Sequence, residues 1–374
     1  MSELKQILDL AQRAFAADEE VCLATVVGVE GSAYRRPGAR MLLTSSGLRA
    51  GTISGGCLEA EVARKAWWLT ERGPSLQRYS SFFDDDGDMP YGLGCGGTVI
   101  VQLERGEAAR RVLGALRRSI EDRAESVVVS GTTAENPGTL LILNESAEAV
   151  FSQSPQPGEQ SDAVDPSARD VALALAQEAL RTGESRQAAG YFVELVAPPP
   201  ALVLFGAGDD AQPLTDFAAA LGWHITLADG RSSLAQPARF PRAARVGGLD
   251  AALAALQPGA AAVIMTHSYE QDRKILTALF GREMRYIGIL GPRRRTERLV
   301  SEVAPEIGLS TAECMARLHT PVGLDLGGHT PAAIALSIAA ELQAVFAGRP
   351  ILRGAGGNAD HEGHPLSSSP ALHA

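Results

Sequence analysis

Two cysteines stand in glycine-rich loops, Cys57 in Ser54-Gly55-Gly56-Cys57-Leu58-Glu59 and Cys95 in Gly92-Leu93-Gly94-Cys95-Gly96-Gly97. Glycine lets the backbone approach a ligand closely, so a thiol set among glycines is presented on bare main chain. A packed core cysteine would be a small, inert hydrophobe instead. Leu58 to Leu69 reads as a helix, which puts Cys57 near a helix N-terminus. There the positive end of the helix dipole favours the thiolate, the reactive form of the residue.

A second constellation lies downstream. Ala201 to Phe205 is an apolar strand, Gly206-Ala207-Gly208 a turn, and Ile225 to Ala228 a second strand ending in Asp229. Strand, glycine turn, helix and strand closed by an acid is the dinucleotide-binding pattern, with Asp229 where a ribose-binding carboxylate belongs. Asp209 and Asp210, however, occupy the first turn after the glycines, and their charge would repel a pyrophosphate. His267 follows the strand 261–266 and Arg293-Arg294-Arg295 follow the strand 286–290. Both groups fall at the carboxyl edge of a parallel sheet, where ligands bind. His267 reads as an acid–base group or ligand contact, and Arg293 and Arg295 as a phosphate clamp. Arg35, Arg36 and Arg40 add positive charge beside the first glycine loop, and the whole suggests an anionic ligand.

The elements that must position these residues divide at Pro198-Pro199-Pro200. Residues 1–197 read as a mixed α/β domain, with an amphipathic first helix and strands at 21–27, 40–44, 98–103, 127–129, 140–143 and 191–196. Residues 198–346 read as a Rossmann-like parallel-sheet domain, and 347–374 as a disordered tail. Ser152 to Pro166 reads as a flexible loop, Asp84 to Asp88 as a solvated acidic one, and the His319 and His329 segment as a loop wrapping back toward the other domain. The chain has 374 residues and a formal net charge of −10, which speaks against a general nucleic-acid binder or an anionic membrane surface. Four scattered cysteines support neither a disulfide framework nor a zinc site. With no apolar leader or membrane-length apolar run, the expected location is the cytoplasm.

These motifs, in this order, resemble the xanthine dehydrogenase accessory factor (XdhC/CoxI) family. The matching blocks are Gly31-Ser32 with Arg36 and Gly38, the two cysteine loops, Phe205 to Gly208, Thr266-His267, Tyr286 to Gly291 with Arg295, and His319 to Asp325. The resemblance implies a maturation factor that binds molybdenum cofactor, as molybdopterin or a nucleotide form. It would protect the cofactor while it gains its terminal sulfur and deliver it to an apo molybdenum hydroxylase. Contacts implied for the cofactor are Arg36, Gly55, Gly56, Cys57, Glu59, Gly94, Cys95, Gly96, Gly206, Gly208, Asp229, His267, Arg293 and Arg295. Cys57 and Cys95 would face a cleft between the domains and touch the soft metal or its sulfur. A cysteine desulfurase and a second copy of the chain are further expected partners. The alternative is an NAD(P)-dependent oxidoreductase using Gly206, Gly208 and Asp229, with His267 as proton donor.

Overall fold

A computed structural model describes residues 2–80, 97–134, 136–152 and 166–351. The loop expected over 152–166, the acidic run Asp84 to Asp88, and most of the expected tail lie outside the described residues. The chain forms two compact units, one of residues 1–199 with 220–222, the other of the remainder from Pro200.

The first unit holds α1 (Glu3–Ala16), β1 (Val21–Gly31), β2 (Arg40–Thr44), β3 (Arg49–Gly51), α2 (Glu59–Leu69), β4 (Ser75–Ser80), β5 (Gly97–Arg105) and α3 (Glu107–Glu121). It continues through β6 (Ser126–Gly131), β7 (Gly138–Asn144), β8 (Ala149–Ser152), α4 (Pro166–Thr182), β9 (Arg186–Ala188) and β10 (Tyr191–Val196). The strands make two five-stranded antiparallel sheets, ordered β3-β2-β1-β5-β4 and β8-β7-β6-β10-β9. Alternate residues of β1 serve opposite faces. Cys22, Ala24 and Val26 pack with Val62 and Ala66 of α2, while Val21 and Leu23 meet Ile7 and Ala11 of α1 and Val112 and Leu116 of α3. Val128 and Ile142 of the second sheet join that same cluster, and Val127, Val129, Leu141 and Leu143 pack on α4. Because both faces of each sheet are covered, the central strands are apolar without alternation. Where the sheets meet directly, buried Arg40 makes a two-pronged ion pair with Glu194, and Gln187 donates to the Val27 carbonyl at 2.6 Å.

The second unit contains β11 (Ala201–Phe205), α5 (Ala211–Ala220), β12 (His224–Ala228), β13 (Arg245–Gly247), α6 (Leu249–Ala254), β14 (Ala261–Ile264) and α7 (Tyr269–Phe280). It closes with β15 (Tyr286–Ile289), α8 (Arg293–Glu306), α9 (Thr311–Ala316) and α10 (Pro331–Phe346). All five strands are parallel, in the order β13-β12-β11-β14-β15. This is the Rossmann-like arrangement, with α6, α7 and α8 against one face and α5 and α10 against the other.

Three features depart from the sequence reading. The 1–197 strands belong to two sheets, and α3 and α4 enter as helices that it passes over. The third is His319, which docks on its own sheet. Its N–H donates to the Ile287 carbonyl and its carbonyl accepts from Ile289 N–H, and its Nδ1 lies 2.8 Å from Oε1 of fully buried Glu341. Reading this segment as a loop did not anticipate that anchoring.

Arg40 and Glu194 should behave as a coupled pair. Removing one partner leaves a charge in a dry site, so Glu194→Ala should cost on the order of 3 kcal/mol. A double change to Arg40→Met and Glu194→Leu should recover most of that loss in urea unfolding.

Candidate functional site

The candidate site in the first unit begins at one end of its first sheet. β1 and β3 run in the same direction, so the segments following Gly31 and Gly51 both leave from that end. The first is the basic turn and the second carries Cys57. Gly94, Cys95 and Gly96 lie outside the described residues. Chain re-enters at Gly97, where a Cβ would sit 2.1 Å from the Ser32 carbonyl oxygen, so only glycine allows β5 to start there. Glu3 of α1 ties two of these segments together. Its Oε1 accepts from Thr52 N–H at 2.7 Å, and its Oε2 pairs with Arg35.

Within the Cys57 loop the organising group is Glu59. Its Oε1 accepts from the N–H groups of Ile53 at 3.0 Å, Ser54 at 2.9 Å and Gly55 at 3.2 Å. Its Oε2 accepts from Gly56 N–H at 2.9 Å and the Ser54 hydroxyl at 2.7 Å. Ser54 Oγ in turn accepts from Leu58 N–H at 2.9 Å. Burial opposes the charge, but the Ser54 hydroxyl and the surrounding N–H groups outweigh it and hold the Glu59 carboxyl at about 2. Both oxygens of Glu59 are engaged with the loop, so the carboxylate positions the turn that carries Cys57.

The turn so fixed lifts Gly55 and Gly56 into left-handed conformations, φ +87° and +124°, and among the described residues no atom lies within 4 Å of where either Cβ would stand. Cys57 follows them, exposed, two residues before the first residue of α2. The other described thiols are buried. Burial, reinforced by the Glu104 charge, pushes Cys22 up to about 12, and burial also raises Cys314. Arginine chemistry is sparser here than the sequence suggests, since Arg35 and Arg40 are neutralised by Glu3 and Glu194. Arg36 is exposed and forms no ion pair among the described residues.

In the second unit the glycine turn has the expected backbone. Gly206 adopts φ +121° and a Cβ there would lie 2.3 Å from the Met265 carbonyl oxygen. The acids around it are not free, however. Asp229 is 1% exposed and accepts from Ala207 N–H, from Arg231 N–H and from the Arg231 guanidinium at 2.9 and 2.7 Å. These four hydrogen bonds make Asp229 the tie between the glycine turn and the segment after β12. Asp209 pairs with Arg239 at 2.6 Å. Asp210 folds over Gly208, where a Cβ would come 2.4 Å from its Oδ1, and also meets His267 Nε2 at 2.7 Å. Asp210 thus holds its carboxylate against the turn, where its charge opposes a phosphate. His267 holds a left-handed φ of +58°, unusual for a residue with a Cβ, and its side chain is 59% exposed.

The expected arginine clamp is also engaged internally. Arg293 pairs with Glu297 at 3.0 Å along α8, and Arg295 pairs with Asp272 of α7 at 2.6 Å. Asp272 is 1% exposed and also accepts from the Thr266 hydroxyl, so Arg295 joins α8 to the end of β14. Sequence reasoning missed Arg231 and Asp272, although Arg231 stands only two residues after the acid it neutralises. Glu341 escaped it as well. In the fold its carboxylate gathers the Tyr286 hydroxyl, His319 and Gly323 N–H. Among the described residues no three His, Cys, Asp or Glu side chains converge as a metal site, and no helix is long and apolar enough to cross a membrane.

Two outcomes follow for the cysteine loop. Glu59→Gln should destabilise the protein by roughly 2–3 kcal/mol at neutral pH. Because the folded carboxyl titrates below its ordinary 4.5, its contribution is complete above that pH and fades toward about 2. The gap in thermal midpoint between wild type and variant should therefore narrow from pH 4.5 to pH 3, and a constant gap refutes the assignment. Native-state alkylation with peptide mapping should label Cys57 and spare Cys22 and Cys314 until the protein unfolds.

Comparison with known proteins places the chain. Residues 14–80 match the XdhC and CoxI family, and residues 202–342 match the XdhC Rossmann domain. A probable xanthine dehydrogenase subunit of Bacillus subtilis (strain 168) is 33% identical over 329 residues, covering 87% of this chain and 92% of that protein. The molybdenum cofactor insertion chaperone PaoD of Escherichia coli (strain K12) is 25% identical over 341 residues, 91% of this chain and 88% of that one. A crystal structure described as a xanthine dehydrogenase from Bacillus halodurans superimposes with a TM-score of 0.70 at 29% identity, covering 94% of this chain and 97% of the other. With two family domains in order and a relative matched along nearly its whole length, the chain belongs to the XdhC and CoxI family.

Proposed function

We propose that this protein binds molybdenum cofactor, shelters it while it acquires its terminal sulfur, and passes it to an apo molybdenum hydroxylase in the cytoplasm. A cysteine desulfurase is the matching class of sulfur donor. The observation that carries the reading is the exposed Cys57 thiol on a glycine turn preorganised by the Glu59 carboxylate. A thiolate suits contact with a soft metal or its sulfur, and bare glycine backbone leaves room for a bulky planar ligand. Similarity to a molybdenum cofactor insertion chaperone supports the same reading. Cys95 is proposed as a second thiol contact and Arg36 as a phosphate contact, on the strength of the sequence motifs.

The oxidoreductase alternative is weakened on physical grounds. Its ribose acid is consumed by Arg231, and its phosphate turn is covered by Asp210. Cargo handling needs a rigid, accessible cradle, whereas hydride transfer needs an open dinucleotide site.

Purification from a host that makes molybdenum cofactor, followed by metal analysis and oxidative pterin assay, tests the proposal. Cys57→Ala should lower bound molybdenum per chain several-fold while the thermal midpoint moves by less than about 2 °C, since an exposed side chain contributes little to stability. A midpoint lowered as far as in a core variant, with cofactor per folded chain unchanged, would make Cys57 structural.

A further inference from the structure

The buried face of a helix fixes what its opposite face shows. In α2, Val62 and Ala66 pack with Cys22, Ala24 and Val26 of β1, and Trp67 and Leu69 flank the same core. The row turned outward is Ala60, Arg64 and Trp68, all exposed and at the four-residue spacing of one helical face. Exposed Cys57 stands three residues before Ala60, so thiol and indole mark the two ends of one stripe. They lie roughly 15 Å apart along the helix axis.

Trp68 is 71% exposed, whereas tryptophan is on average a highly buried residue. Nothing in the proposed handling of the cargo uses its indole. The charges around it are not balanced either. Arg64 and Lys65 both pair with Glu61, each at 2.6 Å. Just past the helix, Arg72 is exposed beside exposed Glu71 and makes no ion pair among the described residues. Three cations thus stand against two acids around the indole, in a chain whose formal net charge is −10.

We propose that this stripe of α2 is the face on which the receiving apo molybdenum hydroxylase docks, with Trp68 entering an apolar pocket rimmed by carboxylates. It rests on the cargo reading and names the surface that delivery uses. Tryptophan and arginine are the side chains that most often dominate the energy of protein–protein contacts, the aromatic at the centre and charge at the rim. The positive excess selects a partner patch of opposite sign. An interface of ordinary size covers about 800 Å² per partner, a disc roughly 30 Å across, so a protein docked at Trp68 also reaches Cys57. That proximity distinguishes the receiver from a second copy of this chain. Two copies joined through the stripe would bury the thiol permanently, while a receiver covers it only during transfer.

Biolayer interferometry with the full chain tests the docking face. The analyte is the apo xanthine dehydrogenase-type hydroxylase of the same organism, produced in a host that makes no molybdenum cofactor. Trp68→Ala should weaken binding at least about tenfold, and Arg64→Glu about three- to tenfold. Val171→Ala, an exposed apolar change on α4, should leave binding unmoved. Bound molybdenum per chain should be the same in Trp68→Ala as in wild type, and bound hydroxylase should slow the alkylation of Cys57. No binding of wild type up to about 100 μM, or unchanged affinity in folded Trp68→Ala, would overturn the proposal. Loss of molybdenum in Trp68→Ala would do the same by placing the indole in the cargo site. So would a change from dimer to monomer in sedimentation with hydroxylase binding intact, which would make the stripe a self-association face. Molybdenum content is measured without the hydroxylase, so failure of docking and failure of the cargo reading give different results.

Discussion

A carboxylate withdrawn from water must be met by donors, and in this protein the functional loops are wrapped around carboxylates that have been so withdrawn. Glu59 is 4% exposed and collects four backbone N–H groups and a hydroxyl. Asp229 and Asp272 are each 1% exposed, and Glu341 is fully buried. An unpartnered ion in any of these places would cost several kcal/mol, so each loop has little freedom except the conformation that satisfies its acid. The glycines supply the unusual dihedral angles, but the carboxylates choose among them.

This internal use of charge changes what the surface offers. Arg35, Arg40, Arg231, Arg239 and Arg295 all serve acids of their own unit. The glycine turn that would cradle phosphates in a dehydrogenase is covered from inside the chain. Among the described residues, the Cys57 thiol on its fixed turn and Arg36 remain exposed in the first unit.

Much of this was legible in the residues. Apolar runs at 21–27, 201–205 and 261–266 mark strands covered on both faces, and the glycine turn followed by a strand ending in Asp229 announces the parallel fold. The α3 signal was present too, with Ala109, Val112, Leu113 and Leu116 at helical spacing. The roles of the charged residues were much harder to read. Glu59 follows a glycine loop as a ligand-binding acid would, and only the folded turn brings four N–H groups to it. Arg295 sits in a run of three arginines, but its partner is Asp272 on another helix. Glu341 looks like a polar break in an apolar helix until the segment around His319 closes over it. Periodicity reports which face is buried; it does not report which charges meet.

The ion pair that joins the two sheets of the first unit also has a meaning in time. Arg40 and Glu194 are separated by 154 residues, and Gln187 and Val27 by 160. Local contacts form early in folding, whereas contacts this distant wait on loop closure and on chain that a ribosome has not yet made. The first sheet therefore carries its buried arginine uncompensated until β10 arrives, almost at the start of the second unit. Synthesis of the first unit must be nearly complete before its centre can dry, and a chain cut short anywhere before β10 would keep that seam wet and open to solvent.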